Sequence, residues 1–337
     1  MQVPDEIRRC VVFLGYLNQK TGDYETVGTA FLFGRSIDNL SALPYLVTAA
    51  HVIRELAKRG VTETQVRVNT AGGQARWLPL PIGSWKFHPS RSEVDVAMAL
   101  AQDLKGAGGR QLYLSQPTLE NSSIIEDHRT IPEDLMINRE IIESEAIGVG
   151  DEVFVTGLFQ PHSGRERNVP IVRVGNLAAM NDEPVTTKVG RFPAYLIEAR
   201  SIGGLSGSPV FVYLGLWRRK GTEVGHPAKS PWYLIGLIQG HFDVREAELD
   251  KAMPESEREA RVNMGIAIVV PWFEIMEVWK QPCFQKVEVS LDQSREGRRL
   301  RESQIAELKK HAANLPRYST LGEVELVFES ESLEIER

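Results

Sequence analysis

The sequence predicts an all-β protein made of two β-rich halves, and three observations predict it. Short β-branched and aromatic runs recur along most of the chain; Gly, Pro, Asn and Asp punctuate them; and a long polar stretch, 101–145, divides them into two blocks. Two blocks of this kind are expected to pack as two barrels or as a sandwich.

In the first block the runs 11–16, 28–33, 45–49, 65–69 and 94–100 read as strands. The stretch that follows carries Asn121, Ser122, Ser123, Glu126 and Asp127 with weak periodicity, and reads as a connector or insertion. The second block offers strands at 152–157, 169–174, 194–198, 208–213, 233–239 and 265–270. Between the last two, 243–259 is charged and helix-prone, as a surface loop or short helix would be. Pro271 opens a helix over 272–280, where Trp272, Ile275, Met276 and Trp279 fall on one face, ready to pack back on the second block. A further helix is expected over 299–313, with Leu300, Ile305, Leu308 and Ala312 aligned, and the tail 323–337 alternates apolar and charged residues as an added strand would.

A chain of 337 residues can bury a substantial core. The expected division is a main unit over 1–285 (barrel one about 8–105, connector 106–145, barrel two about 146–280) and an extension over 286–337. A formal net charge of −6 gives no overall attraction to nucleic acid or anionic lipid, so neither is expected as a partner. Two cysteines, Cys10 and Cys283, are too few for a disulfide framework, and their placement matches no metal-ligand spacing. Both read as small buried hydrophobes; no metal or other cofactor is expected. The first nine residues carry Asp5, Glu6, Arg8 and Arg9 where a signal peptide needs an apolar core, and no run reaches the roughly 18 apolar residues of a membrane span. These features together point to a cytoplasmic protein.

The strongest local signal is Gly203-Gly204-Leu205-Ser206-Gly207-Ser208-Pro209, directly before an apolar run. Glycines on both sides let the chain turn sharply and bring backbone N–H groups close to a bound carbonyl, with the serine presented at the turn; a plain Gly/Ser loop has the same composition. A serine hydroxyl attacks only if a base takes its proton. His51 follows the apolar run 45–50 as the last residue of a buried strand, flanked by alanines that leave room for the ring, which suits a general base and equally suits a core histidine. Asp95 enters the apolar segment 94–100, where an unpaired carboxylate is costly, so it needs a partner or a turn to cap. The remaining histidines, His88, His128, His162, His226 and His311, have no motif around them and read as surface residues.

Taken together, Thr48-Ala49-Ala50-His51, Asp95-Val96-Ala97 and Gly204-Leu205-Ser206-Gly207-Ser208-Pro209 resemble the three signature segments of trypsin-like serine proteases, in the same chain order. Gly28-Thr29-Ala30-Phe31-Leu32-Phe33, Val149-Gly150-Asp151-Glu152-Val153 and Gly265-Ile266-Ala267-Ile268-Val269-Val270-Pro271 bring the resemblance closest to the bacterial high-temperature-requirement type, without its PDZ domain. The resemblance implies two packed six-stranded antiparallel β-barrels of the chymotrypsin fold, a C-terminal helix and an extension. It implies serine endopeptidase activity on polypeptides, with Ser206 as nucleophile, His51 as general acid/base, Asp95 as its orienter, and the amides of Gly204 and Ser206 as oxyanion hole. The specificity pocket would involve Arg200, Gln239, Gly240, His241 and Gly265.

Two departures matter. Leu205 stands where enzymes activated by cleavage carry an aspartate, so control would rest on the 101–145 segment, the chain beyond 280 or an activating protein partner. Arg200 stands where trypsin has the aspartate that selects basic side chains, which points to small or apolar residues before the cleaved bond. Two rival readings remain open: a trypsin-like fold that binds peptides without cutting them, and a serine hydrolase of esters or small amides.

Overall fold

The computed structural model describes residues 3–36, 42–70, 72–104, 128–180, 183–187, 190–199, 204–218, 225–245 and 261–293. The first half opens with a short helix, α1 (Asp5–Arg9), and contributes β1 (Val11–Leu17), β2 (Tyr24–Ser36) and β3 (Ala42–Thr48). Helix α2 (Ala50–Lys58), β4 (Glu63–Asn69), β5 (Ala75–Pro81), β6 (Lys86–Phe87), β7 (Ala97–Leu100) and β8 (Ile131–Pro132) follow. These strands form one eight-stranded sheet in the order β5-β4-β1-β2-β3-β7-β6, with β8 parallel to β2. Successive strand residues face opposite sides of a sheet, so Val11, Val12, Phe13 and Leu14, all buried, mean that β1 is covered on both faces.

The second half begins with helix α3 (Arg139–Ser144), capped by the Asn138 carboxamide oxygen, which accepts from the Ile141 N–H at 2.7 Å. It continues with β9 (Glu152–Gly157), β10 (Ile171–Met180), a hairpin of β11 (Val185–Thr187) and β12 (Gly190–Phe192), β13 (Tyr195–Glu198) and β14 (Pro209–Tyr213). A second small hairpin joins β15 (Trp217–Arg218) to β16 (His226–Pro227), ahead of β17 (Trp232–Arg245) and β18 (Arg261–Pro271). Six of these strands close a barrel in the order β10-β13-β18-β17-β14-β9. Its interior is apolar, with Phe154 and Phe211 stacked at 5.0 Å and Trp232 edge-on to Phe211.

The protein is therefore all-β, with one closed six-stranded barrel, a second β unit and C-terminal helices. Among the described residues the first unit has eight strands in place of six, two of which, β6 and β8, are two-residue pairings too short to leave a periodic pattern. Strand β5 carries Pro79 and Pro81, residues that break a strand reading; they are tolerated because β5 lies at the sheet edge, where no outer neighbour needs their missing N–H. Part of the expected connector, 128–145, is built into the fold through β8 and α3, while 105–127 lies outside the described residues. So do the expected helix over 299–313, the tail 323–337 and most of the charged 243–259 stretch.

Beyond the barrel, α4 (Trp272–Trp279) and α5 (Pro282–Gln293) turn back. Helix α4 buries Trp272, Ile275, Val278 and Trp279, nearly the expected face, with Met276 only partly covered. They reach the first sheet as well as the barrel: Phe33 meets Trp272 and Trp279 edge-on, each at 5.2 Å, and Tyr45 meets Phe284 at 5.4 Å. Within this aromatic cluster the buried Glu288 of α5 pairs with Arg35 and accepts from Tyr45 Oη at 2.5 Å and Trp279 Nε1 at 2.7 Å. Burial pushes the Tyr45 phenol up to about 12. Of the two cysteines, Cys10 is buried as expected, whereas Cys283 is exposed near the start of α5. Among the described residues no helix is long and apolar enough to cross a membrane.

Candidate active site

His51 is the second residue of α2 rather than the end of a strand. The chain leaves β3 through the buried Ala49 and Ala50 and enters the helix with Ala49 at the cap position, a residue with no side chain to satisfy the first amides. Asp95 supplies what Ala49 lacks. Its Oδ1 accepts from the His51 backbone N–H at 2.7 Å, and its Oδ2 lies 2.6 Å from His51 Nδ1. One carboxylate thus caps the helix and grips the ring, at the helix end where the peptide dipoles favour negative charge.

The carboxylate itself is 1% exposed and the imidazole 36%. Asp95 stands just before β7, at the apex of a tight turn in which the Val96 N–H donates to the Val94 carbonyl at 3.0 Å. The 88–94 segment leading to it is stitched down. His88 Nδ1 accepts from the Arg91 N–H at 3.1 Å, Arg91 and His88 Nε2 both reach the buried Glu274 of α4, and Arg54 donates to the Ser92 carbonyl at 3.2 Å.

With Nδ1–H donated to Asp95, the assigned tautomer leaves Nε2 of His51 as the proton acceptor. Burial alone pulls the imidazole pKa down, but the hydrogen bond and charge of Asp95 outweigh it, so the net shift is upward.

The Ser206 turn is built by local backbone geometry. Gly204 and Gly207 both adopt positive φ, +95° and +85°. At Gly207 a side chain is impossible in any case: a Cβ would lie 2.1 Å from the Thr29 carbonyl oxygen and 2.3 Å from Thr48 Oγ1. The Gly207 N–H donates to the Ile238 carbonyl at 2.8 Å and the Ser208 N–H to the Leu205 carbonyl at 2.9 Å, while the buried Leu205 anchors the turn. The Thr29 N–H donates to the Ser206 carbonyl at 3.0 Å. The turn is therefore seated against the end of β3 and the start of α2, the segment that carries His51.

Ser206 Oγ donates to the Gln239 carbonyl at 3.2 Å; among the described residues no hydrogen bond joins it to His51. Nor do the amides of Gly204 and Ser206 meet a protein acceptor among the described residues, which leaves two donors beside the hydroxyl. Gln239 belongs to β17, where Gly240 pairs with Ile268 and His241 with Ala267 of β18. Gly265, at φ +78°, lies at the register shift of the same ladder. Gln239, Gly240, His241 and Gly265 thus lie along one ladder, of which Gln239 meets Ser206, and Arg200 lies outside the described residues.

His88 and His128 are buried rather than on the surface. His128 accepts from the Asn69 N–H through Nε2 at 2.7 Å, with Nδ1 2.8 Å from the Arg9 carbonyl. Sequence reasoning missed two contributors to the site, Glu274 and Thr29, and expected Gln239 in the specificity pocket without foreseeing its carbonyl as the partner of Ser206. Only Thr29 carried a signal, as a hydroxyl inside the apolar 28–33 run. Among the described residues no group of three or more His, Cys, Asp or Glu could hold a metal ion.

No protein-family model and no curated protein sequence matches the chain. Solved structures bear a partial likeness to it. The MamO protease domain from Magnetospirillum magneticum, in its apo form, is 14% identical, with a TM-score of 0.42 over 80% of this chain and 96% of that one. Deg5 is also 14% identical, with a TM-score of 0.42 over 81% of this chain and 88% of its own. No functional residue is carried over from either.

Proposed function

We propose that this protein is a serine endopeptidase in which Ser206, His51 and Asp95 form the catalytic triad. The observation that carries the reading is the double grip of the buried Asp95 on the His51 ring and backbone, beside a glycine-framed serine turn. Asp95 fixes the tautomer and stabilises the imidazolium. The Ser206 hydroxyl leaves the Gln239 carbonyl, passes its proton to His51 Nε2 and attacks the substrate carbonyl carbon. The oxygen that becomes negative is received by the amides of Gly204 and Ser206. His51 then protonates the departing amine as the C–N bond breaks, and water, activated by the same base, releases the acyl group from Ser206.

A polypeptide is the substrate class the surroundings favour. Among the described residues, β17 is paired at Gly240 and His241 on one side only, with β18, and nothing lies within 4 Å of where a Gly240 Cβ would stand. An extended peptide can lie along such an edge by main-chain hydrogen bonding, its carbonyl then reaching Ser206.

The test is covalent labelling with a fluorophosphonate probe, located by peptide mass spectrometry, on wild type, Ser206→Ala and His51→Ala. The expected result is an adduct on Ser206 that both substitutions abolish, together with cleavage of an unfolded protein substrate. An adduct without peptide cleavage would favour an esterase or amidase. No adduct at all would favour a peptide-binding module, the reading to which the Ser206–Gln239 hydrogen bond lends support.

A further inference from the structure

Thr29 sits where three segments meet. It lies on β2 and is fully buried, so its hydroxyl must find partners within the protein. Both partners come from the other half of the molecule: Thr29 Oγ1 donates to the Gly204 carbonyl at 2.7 Å and accepts from the Leu158 N–H at 2.9 Å. Its backbone N–H donates to the Ser206 carbonyl at 3.0 Å, and its own carbonyl accepts from Thr48 Oγ1 at 2.6 Å. Thr48 precedes His51 by three residues and pairs with Ala30 across the sheet. An unbroken line of bonds therefore runs from both ends of the Gly204–Ser206 turn, through one threonine, to the strand that leads into His51.

We propose that Thr29 is a positioning residue whose hydroxyl holds the Ser206 turn at working distance from His51. The proposal rests on the triad reading above and extends it to a residue that touches neither substrate nor reacting atoms. The two groups of the triad that exchange a proton sit on different halves of the molecule, and a displacement of about 1 Å between such groups can cost about 100-fold in rate. The hydroxyl is the part of Thr29 that matters, because its backbone bonds survive any side-chain change. Valine keeps the shape and removes the hydroxyl, leaving the Gly204 carbonyl and the Leu158 N–H unsatisfied; serine keeps the hydroxyl and loses a methyl.

Thr29→Val and Thr29→Ser, compared with wild type by two measurements, decide the matter. In fluorophosphonate labelling, Thr29→Val should react about 10- to 100-fold more slowly, with the pH midpoint of labelling unchanged since His51 and Asp95 are untouched, and Thr29→Ser should stay within about 3-fold of wild type. In amide hydrogen exchange, the peptides containing Leu158 and Gly204–Ser208 should exchange faster in Thr29→Val alone. Labelling of Thr29→Val at the wild-type rate would overturn the proposal, as would equal impairment of both variants, which would trace the effect to the methyl group. If wild type takes up no probe, the triad reading fails, and exchange still decides whether the hydroxyl holds the turn. Unchanged exchange in Thr29→Val would then overturn the positioning role.

Discussion

Asp95 performs two tasks through two oxygens, and the pH behaviour of the site follows from the second. His51 must be neutral to accept a proton, and its pKa is raised because the hydrogen bond and charge of Asp95 outweigh burial. Activity should therefore rise with pH through a midpoint above the ordinary imidazole value of about 6.5. The sign for stability is opposite. A raised imidazole pKa favours the folded state fully below that ordinary value, and the contribution is lost as pH rises through the folded one. Asp95→Asn should lower the midpoint and slow the labelling of Ser206 by roughly 10⁴-fold, the loss such a change brings when the tautomer is wrong. A pH–rate profile of labelling for both forms reads the two effects, and an unshifted midpoint in the variant would contradict the assigned pairing.

Among the elements, the C-terminal helices are tied to the first sheet through one buried carboxylate. Glu288 of α5 takes hydrogen bonds from Tyr45 and Trp279 and pairs with Arg35, so Glu288→Ala leaves two donors without their acceptor in an apolar cluster. The expected cost is roughly 2–3 kcal/mol, read as a lower midpoint in denaturant with the slope unchanged. The same scale explains what the sequence disclosed. Strands such as β9 and β14 were legible because their apolar runs end at glycine, proline or charge within a residue or two of the true bounds. Helix α2 was not, because its apolar residues Val52, Ile53 and Leu56 follow directly on the strand run and its cap comes from Asp95, far along the chain. Local motif chemistry brought His51, Asp95 and Ser206 to notice; Glu274 acts through contacts between elements, which no local pattern records, and Thr29 showed only as a hydroxyl in an apolar run, with its partners far along the chain.

Across the whole molecule, several contacts among the described residues join the halves, and three of them matter most here. One is Thr29; the second is the pair of C-terminal helices; the third is a polar seam where the 160–169 loop meets β4. In that seam Arg67 donates to the Ser163 and Arg165 carbonyls, the main chain of the buried Asn168 exchanges hydrogen bonds with the Asn69 carboxamide, and the Asn168 carboxamide donates to the Arg67 carbonyl. Joined in this way, the halves should unfold together. Calorimetry should record one heat-absorption peak, and Asn168→Ala, which removes the bond to the Arg67 carbonyl, should move it down as a single peak by an amount equivalent to roughly 1–2 kcal/mol. Two resolved peaks in wild type would mean that the seam couples the halves only weakly.

The helix cap supplied by Asp95 also constrains how this chain can change over generations. In the proposed triad, replacing Ser206 removes a hydroxyl that bonds only the Gln239 carbonyl among the described residues, whereas replacing Asp95 uncaps α2 as well as releasing the His51 ring. On the proposed reading, a descendant that abandoned chemistry would lose the serine freely and keep the aspartate for the sake of its helix, so a silent relative of this protein should be recognised by a retained aspartate beside a vacant nucleophile.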